Sequence, residues 1–289
     1  MKTIILLVLL AMACTPLHAA NDDRIELSSR YLKLTFSGIS GSLSKMIKAG
    51  QPIVINEDEL PLWEINLLDR NEQKIKIEPH DLKKFEANRI DKDRLELTWS
   101  GTDLPNLGKI SVRATISLAL SDSLSYWSLK VSGLDEYAIE AVAYPIISGI
   151  RNSEKSLAAV PNWMGHLYEN PGGILKSMKK PSFQWIYPGQ LSMQFISLYE
   201  PGENGFYVAS DDAHAFQKDF KLGLTDQSRL VCQMMNYPEF KFGIETYTIP
   251  YKAVVGGFKG DWFNAAEIYR NWGIKQEWAN LSRLKNNQV

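Results

Sequence analysis

The chain has 289 residues, of which 45% are hydrophobic and 22% charged, and its formal net charge is -1. These proportions exclude a disordered or collagen-like chain, and the length fits one large all-β domain or two smaller domains. A net charge near zero gives no electrostatic reason to expect nucleic acid or an anionic membrane surface as a partner.

Residues 1–20 have the pattern of a secretory signal peptide. Lys2 precedes an apolar run over residues 4–13, and small residues follow it. Such a run is too short to cross a bilayer as a mature helix. We therefore expect cleavage after Ala19 or Ala20 and export to the periplasm or the extracellular space.

The two cysteines offer no intramolecular disulfide after export. Cys14 follows Ala-Met-Ala, which lacks the usual leucine of a lipoprotein box, so lipid anchoring at Cys14 is the lesser alternative. Cys232 alternates with apolar residues in RLVCQMMNY, which predicts a buried structural thiol rather than a nucleophile. An exported domain without disulfides needs a large core, and the length allows one.

Alternation of apolar and polar residues dominates the chain beyond the signal peptide. It is clearest in YLKLTF (31–36), RLELTW (94–99), KISVRATISLAL (109–120) and YWSLKV (126–131). One apolar and one polar face is typical of antiparallel sheets that cover a shared core. No helical pattern lies between successive strands, which argues against parallel βαβ units. The pattern predicts a mainly β protein, a large antiparallel sandwich.

The segment 151–190 differs from the rest because aromatic residues and prolines interrupt every strand pattern. We expect an irregular segment of functional importance there. Four of its rings interleave with polar residues and could form a flat platform for a sugar: Trp163, Tyr168, Trp185 and Tyr187. Anchoring of loops to the sandwich explains the same rings equally well.

Metal and nucleotide chemistry find no support in the sequence. The histidines beyond the signal peptide, His80, His166 and His214, are scattered and lack the paired spacing of zinc ligands. The glycine-containing segments match neither a phosphate-binding loop nor a dinucleotide fingerprint, and no Gly-x-Ser-x-Gly elbow occurs. The sequence therefore predicts no metal site and no cofactor.

Asp211 and Asp212 form the tightest pair of carboxylates in the chain. Successive residues of a strand point to opposite faces, so the two cannot converge on one sugar as an acid and a base. A polar turn at the end of a strand is the favoured interpretation, and contact of one carboxylate with a hydroxyl group remains an alternative.

GDWFNAAEIYRNWGIKQEWAN, residues 260–280, predicts the best amphipathic helix of the chain. Asp261 is a good N-cap, and Gly273 can end the helix. We expect the remainder of the segment to extend away from the sandwich. Five residues fall at helical spacing on one face, which predicts packing: Trp262, Ala265, Ala266, Tyr269 and Trp272.

Three segments resemble known proteins. YLKLTFSGISGSLSKMIKAGQPIVI (31–55) resembles the opening hairpins of a galactose mutarotase-like supersandwich. The segments at 187–220 and 260–278 resemble a bacterial family of uncharacterised glycoside-hydrolase-like proteins, distantly similar to endo-α-N-acetylgalactosaminidases. In that family the sandwich precedes a (β/α)₈ catalytic barrel. The resemblance covers about residues 24–280, and its aromatic-rich closing helix is the most specific part.

The resemblance implies a galactose mutarotase-like supersandwich that ends in a helix. We expect a signal peptide at 1–20, the sandwich at 21–259, a helix and exit segment towards a barrel at 260–280, and a polar tail at 281–289. A barrel needs about 250 further residues, so we expect this chain to lack it. The helix then offers candidates for packing on a barrel: Trp262, Tyr269 and Trp272.

The resemblance assigns no catalytic residue, because no segment matches the His and Glu motifs of aldose epimerases with this fold. It places five residues at polar or aromatic positions that recur in the family: Trp163, Tyr187, Asp211, Asp212 and Lys218. With Tyr168 and Trp185 these are the candidates for contact with a glycan.

The sequence favours a noncatalytic, carbohydrate-associated sandwich of an exported glycoside-hydrolase-like protein, which braces a barrel or contacts glycan. The expected partners are an oligo- or polysaccharide and a catalytic barrel encoded separately, with no nucleic acid. A stand-alone glycan-binding module is the first alternative. A sugar epimerase or polysaccharide lyase acting on the sandwich itself is the second. An enzyme that includes this domain would be a glycoside hydrolase acting on O-glycosyl bonds.

Overall fold

The computed structural model describes residues 24–104 and 107–279. The predicted signal peptide, Cys14 and the polar tail at 281–289 lie outside the described residues. The described chain forms two large antiparallel sheets and two α-helices, which confirms the mainly β sandwich with a helix near its C-terminal end.

The described strands and helices are as follows, in chain order. The first ten strands are β1 (Arg24–Ser28), β2 (Leu32–Ser37), β3 (Leu43–Lys48), β4 (Gln51–Ile55), β5 (Glu64–Leu68), β6 (Lys74–Ile77), β7 (Lys84–Asp91), β8 (Arg94–Ser100), β9 (Ser111–Leu118) and β10 (Leu124–Ser132). The others are β11 (Ala138–Ile150), β12 (Leu157–Val160), β13 (His166–Glu169), β14 (Ser182–Tyr187), β15 (Phe195–Tyr199), β16 (Asn204–Asp211), β17 (Lys218–Leu224), β18 (Leu230–Asn236), β19 (Thr246–Thr248) and β20 (Lys252–Lys259). The helices are α1 (Pro171–Met178) and α2 (Trp262–Gly273), with 3₁₀ turns at Pro79–Asp81 and Glu277–Ala279. No described helix is long and apolar enough to cross a bilayer.

Each sheet contains ten strands. The first has the order β1-β2-β3-β4-β11-β18-β17-β14, with β5 beside β11 and β6 beside β5. The second has the order β13-β12-β15-β16-β20-β10-β9-β8-β7, with β19 beside β10. Neighbouring strands run antiparallel, so short turns such as the one at Gly50, where φ is 78°, can join them.

Alternating residues of both sheets fill the core between them. Along β9, Val112, Ala114 and Ile116 are completely buried, as the sequence pattern predicts. The rings of Trp63 and Trp99 meet edge to face, with their centroids 5.7 Å apart. Complete burial of a large apolar side chain contributes about 1.5–3 kcal/mol, so such a core can stabilise the domain without disulfides.

Cys232 lies inside this core and is 1% exposed. Burial raises the pKa of its thiol to about 12, because the charged thiolate would lose its hydration. The prediction of a structural thiol is confirmed.

Helix α2 covers part of the outer face of the second sheet. Its N-cap is confirmed, because the Asp261 carboxylate accepts the backbone N–H of Phe263 at 2.9 Å. Ala265 is completely buried and packs in a small apolar cluster with Phe195 and Tyr207. The helix ends at Gly273, as predicted.

The segment after α2 stays in contact with the last turn of the helix, and its expected course away from the sandwich stays a prediction. The ring of Trp278 lies 5.5 Å from that of Trp272, centroid to centroid. The side-chain amide of Gln276 also donates to the Trp272 carbonyl at 3.0 Å. These contacts hold the chain beside the end of the helix.

The segment 151–190 contains more regular secondary structure than the sequence predicts, since it forms the β12–β13 hairpin, α1 and β14. The Asn170 carboxamide oxygen caps α1 by accepting the backbone N–H of Gly173 at 2.9 Å. Pro171 occupies the first helical position, where it loses no hydrogen bond. The sequence pattern did not indicate this helix, because two of its residues are glycines, which have low helix propensity.

Candidate functional site

A buried charged pair closes the turn between β16 and β17. The Lys218 ammonium lies 2.6 Å from the nearer Asp212 carboxylate oxygen, and both side chains are almost completely buried. Lys218 also donates to the carbonyl of Phe216 at 2.6 Å and to the side-chain oxygen of Gln194 at 3.0 Å. The Asp212 carboxylate accepts the backbone N–H groups of His214 at 2.8 Å and Phe216 at 2.7 Å.

Two aromatic rings complete the surroundings of Lys218. Its Nζ lies 4.8 Å from the ring centre of Tyr187 and 4.4 Å from that of Tyr251. Burial lowers the pKa of Lys218 to about 8, although the hydrogen bond and charge of Asp212 act in the opposite direction. The structure brings Tyr187, Asp212 and Lys218 together, but it leaves the two charged groups no surface for a sugar. Their arrangement fixes a turn, and glycan contact by these three residues stays a prediction.

Asp211 lies beside this turn in a different setting, an open cleft of about 410 Å³ between α2 and the outer face of the second sheet. We call it the α2 cleft. Asp211 is partly buried, and its carboxyl group makes no hydrogen bond or ion pair with another described residue. Burial raises the pKa of its carboxyl to about 7, and nearby Lys275 opposes the shift. The polar and aromatic residues that line the cleft are Lys48, Asp122, Ser123, Tyr126, Tyr207, Asp211, Phe258, Lys259, Asn271, Trp272 and Lys275.

The four aromatic candidates of the segment 151–190 do not form one platform. Trp185 is 4% exposed, and its ring packs 5.7 Å from that of Tyr168 in the wall of the core. Tyr168 is partly buried and stacks on His166, with 4.0 Å between the ring centroids. Only Trp163, 73% exposed, presents a large open ring. A sugar-binding role for these residues stays a prediction.

An exposed apolar surface joins α2 to the β12–β13 hairpin. A pocket of about 300 Å³ lies between them, lined by Met164 and Leu167 of the hairpin and by Trp262 of the helix. Phe263 lies beside Trp262, with 6.0 Å between the ring centroids. We call these four residues the α2–hairpin surface.

The three candidates for packing on a barrel do not lie on one surface. Trp262 belongs to the α2–hairpin surface, whereas Trp272 lines the α2 cleft. The ring of Tyr269 packs between those of Phe195 and Trp272, at 5.7 Å and 5.3 Å. Sequence reasoning missed Phe263 and the hairpin residues. Met164 precedes Gly165 in a turn, where an apolar side chain does not contribute to the core. This position was the sequence signal that could have indicated an exposed apolar surface.

The cleft lysines were missed as well, because they are far apart in the sequence and belong to no motif. Within residues 24–104 and 107–279, no group of three or more His, Cys, Asp or Glu is placed to hold a metal ion.

Comparison with known proteins adds two kinds of information. A family model described as a domain of unknown function, DUF6259, matches residues 247–289, which include α2. No curated protein matches the sequence. The α-N-acetylgalactosaminidase NagBb from Bifidobacterium bifidum is similar in structure, with a TM-score of 0.60 at 10% identity over 86% of this chain and 38% of that one.

Two smaller enzymes are similar over nearly their whole length. A putative aldose 1-epimerase from Escherichia coli K12 has a TM-score of 0.54 at 11% identity and covers 81% of this chain and 98% of its own. A galactose mutarotase related enzyme from Lactobacillus acidophilus has a TM-score of 0.52 at 10% identity, with 82% and 97% covered.

At these identities the likeness shows the fold. The chain spans 38% of the length of NagBb, and its described residues contain a sandwich and no (β/α)₈ barrel. The expectation drawn from the opening hairpins and the closing helix is confirmed: the domain is a galactose mutarotase-like β-sandwich.

Proposed function

We propose that this chain is a noncatalytic, carbohydrate-associated sandwich of an exported glycoside-hydrolase-like protein, and that it braces a catalytic (β/α)₈ barrel. The α2–hairpin surface carries the proposal. Met164 is 102% exposed, Phe263 56%, Trp262 53% and Leu167 42%. Apolar groups gathered in one place on a surface mark an interaction site, and large aromatic side chains supply most of the energy of such sites.

The position of this surface favours a rigid neighbour over a flexible peptide. Buried Ala265 and the Asp261 cap hold the first turn of α2 against the sheet, so the exposed rings are already in place before any partner binds. The match of NagBb to this chain covers only 38% of NagBb, which supports a sandwich that works beside further domains. The family model DUF6259 matches residues 247–289, and this match includes the helix that carries Trp262 and Phe263.

The experiment begins with the DNA on both sides of the coding sequence, which we expect to encode a barrel. The barrel is then co-expressed with this chain, and their association is measured by size-exclusion chromatography and calorimetry. Replacing Trp262 and Phe263 with serine should weaken association more than tenfold, because truncating one central aromatic residue costs about 2 kcal/mol or more. Phe240→Ser is the matched control, since Phe240 is 54% exposed and lies outside the surface.

The proposal fails if no barrel is encoded nearby, if the barrel does not associate, or if the double variant binds it as tightly as the wild type. Export is tested separately by fusing residues 1–20 to a reporter enzyme that is active only outside the cytoplasm. Retention of that reporter inside the cell would contradict export.

A stand-alone glycan-binding module is the second candidate, and the open ring of Trp163 favours it. A glycan array on the mature domain tests it, with Trp163→Ala expected to abolish binding and Phe240→Ala, at another exposed aromatic residue that lies outside the hairpin and the cleft, to preserve it. No binding across the array would remove this candidate. Sugar turnover by the purified domain, abolished by one carboxylate substitution, would instead favour an epimerase or a lyase.

A further inference from the structure

The α2 cleft combines unpaired cations, an unpaired carboxyl group and an aromatic wall. We propose that it binds one pyranose residue of an acidic saccharide, bearing a carboxylate or a sulfate group. The inference rests on the proposed association with carbohydrate but does not require the barrel. A volume of about 410 Å³ lies within the usual range of small-molecule pockets.

Three lysines give the cleft its charge. Lys48 ends β3, Lys259 ends β20, and Lys275 follows α2, so three separate parts of the chain contribute a lysine to the lining of the cleft. None of the three forms an ion pair with another described residue. Of the two carboxylates in the lining, Asp122 already accepts the backbone N–H of Leu124 at 2.9 Å. The excess of positive charge favours an anionic ligand over a neutral one.

The position of Lys48 is built into the fold. A Cβ at Gly257 would lie 2.8 Å from the Ile53 Cδ1 and 2.9 Å from the Lys48 Cδ, so one of these side chains would have to shift. The side-chain amide of Asn204 donates to the Lys48 carbonyl at 3.0 Å and anchors the end of β3. The glycine leaves room beside the lysine side chain, and the asparagine holds the lysine backbone.

Trp272 supplies the aromatic wall. Its ring is partly buried and is held by those of Tyr269 and Trp278, whose centroids lie 5.3 Å and 5.5 Å away. The part that lines the cleft can pack against the apolar face of a pyranose, and the neighbouring Asn271 amide can bond to hydroxyl groups. A ring fixed by its neighbours loses little entropy when a sugar packs on it.

Asp211 adds a dependence on pH. As a carboxylate it repels an anionic ligand, whereas as a carboxylic acid it can donate a hydrogen bond to a ligand oxygen. Burial raises its pKa to about 7, and an anionic ligand would raise it further. The other ionisable groups around the cleft are Lys48, Asp122, Tyr126, Tyr207, Lys259 and Lys275. Binding should therefore take up a proton at Asp211, and affinity should rise as the pH falls through about 7.

Calorimetric titration of the complete mature chain tests the inference with three probes: digalacturonate, galactose 6-sulfate and neutral galactobiose. We expect binding of an anionic probe and at least fivefold weaker binding of galactobiose. Binding of digalacturonate alone identifies a uronate ligand, and binding of galactose 6-sulfate alone identifies a sulfate ester. From pH 8 to pH 6 the affinity should rise up to about tenfold, following the protonated fraction of a carboxyl group with a pKa of about 7.

Variants locate the binding. Lys259→Gln combined with Lys275→Gln should weaken it about fivefold or more, because each exposed ion pair contributes up to about 1 kcal/mol. Lys130→Gln is the matched control, since exposed Lys130 lies on β10, the strand of the cleft residue Tyr126, but not in the cleft. Asp211→Asn should retain binding and remove its pH dependence. Circular dichroism of each variant checks its folding.

Three outcomes would overturn the inference: no anionic probe binding at up to about 10 mM, equal binding of galactobiose, or an affinity unchanged in the lysine double variant. Association with a barrel, measured on the same proteins, separates this inference from the proposed function. If the chain holds a barrel but no acidic saccharide, only the inference is wrong.

Discussion

Asp211 and Asp212 are consecutive carboxylates in opposite circumstances. Asp212 is 2% exposed and meets an ammonium group and two backbone N–H groups. Asp211 is partly buried in the α2 cleft and bonds to no other described side chain. A buried polar group that is satisfied internally serves the fold, whereas one left without a partner is a candidate for binding a ligand. The two residues show both situations within one turn of chain.

The end of β16 explains the difference. Asp211 is the last residue of that strand and pairs with Lys252 of β20, so its side chain still follows the alternation of the sheet. The chain turns immediately afterwards, and Asp212 is free to fold its carboxylate over the turn towards Lys218. The Asp211 carboxyl therefore faces the open cleft and its lysines, whereas the Asp212 carboxylate is enclosed by its hydrogen-bond donors.

Asp212→Asn should have the largest effect, because it leaves the buried Lys218 ammonium without its counter-charge. We expect the free energy of unfolding to fall by about 3–5 kcal/mol, as is usual when one member of a buried pair is removed. Urea unfolding at pH 6 measures the loss, since Lys218 has a pKa of about 8 and is charged there. Asp226→Asn, in an exposed turn, is the control and should change stability by less than about 0.5 kcal/mol. A loss below 1 kcal/mol for Asp212→Asn would mean that the pair does not hold the turn.

Asp211→Asn should have a smaller effect of opposite sign. The pKa of this carboxyl rises from 3.8 to about 7 on folding, so between these values the folded state holds more protons than the unfolded state. The wild type therefore loses stability as the pH rises through this window, and the loss is complete above about 7. With solvent screening taken into account, we expect the variant to be more stable by about 1 kcal/mol at pH 8 and equal to the wild type below pH 4. Urea unfolding at the two pH values tests this. Equal differences at both would show that Asp211 does not titrate as described.

The sequence predicts the architecture well because the evidence for it is local and repeated. Alternation along β8 and β9 reports which residues are buried, and the alternation continues through most of the chain. The Asp261 cap and the spacing of α2 are equally local signals. The prediction of an irregular segment at 151–190 was wrong. Two glycines lower the helix propensity of the short helix α1, and only the Asn170 cap and Pro171 indicated it in the sequence.

The candidate site is harder to predict because it depends on which distant residues meet. The sequence indicates Asp211, but nothing in it connects this residue with Lys48 or Lys259, which approach only when β3 and β20 take their places. It also cannot show that Trp185 packs into the core while Trp163 stays exposed, since both occur in similar surroundings of aromatic and polar residues. Sites of this kind arise from packing between elements, whereas alternation reports only on one element at a time.

Tyr269→Phe gives the smallest expected effect and tests whether the two carboxylates behave independently. The Tyr269 ring packs against Trp272 of the cleft, and its hydroxyl lies 3.5 Å from the Gln194 amide, which donates to the Asp212 carbonyl at 2.8 Å. A contact of 3.5 Å is at the limit of a hydrogen bond, so losing the hydroxyl should cost about 0.5 kcal/mol or less. The pH dependence of unfolding assigned to Asp211 should be unchanged. A cost above about 1.5 kcal/mol, or a shifted pH profile, would show that the turn and the cleft act as one hydrogen-bonded unit. The contrast between Asp211 and Asp212 would then be a difference within one site rather than between two.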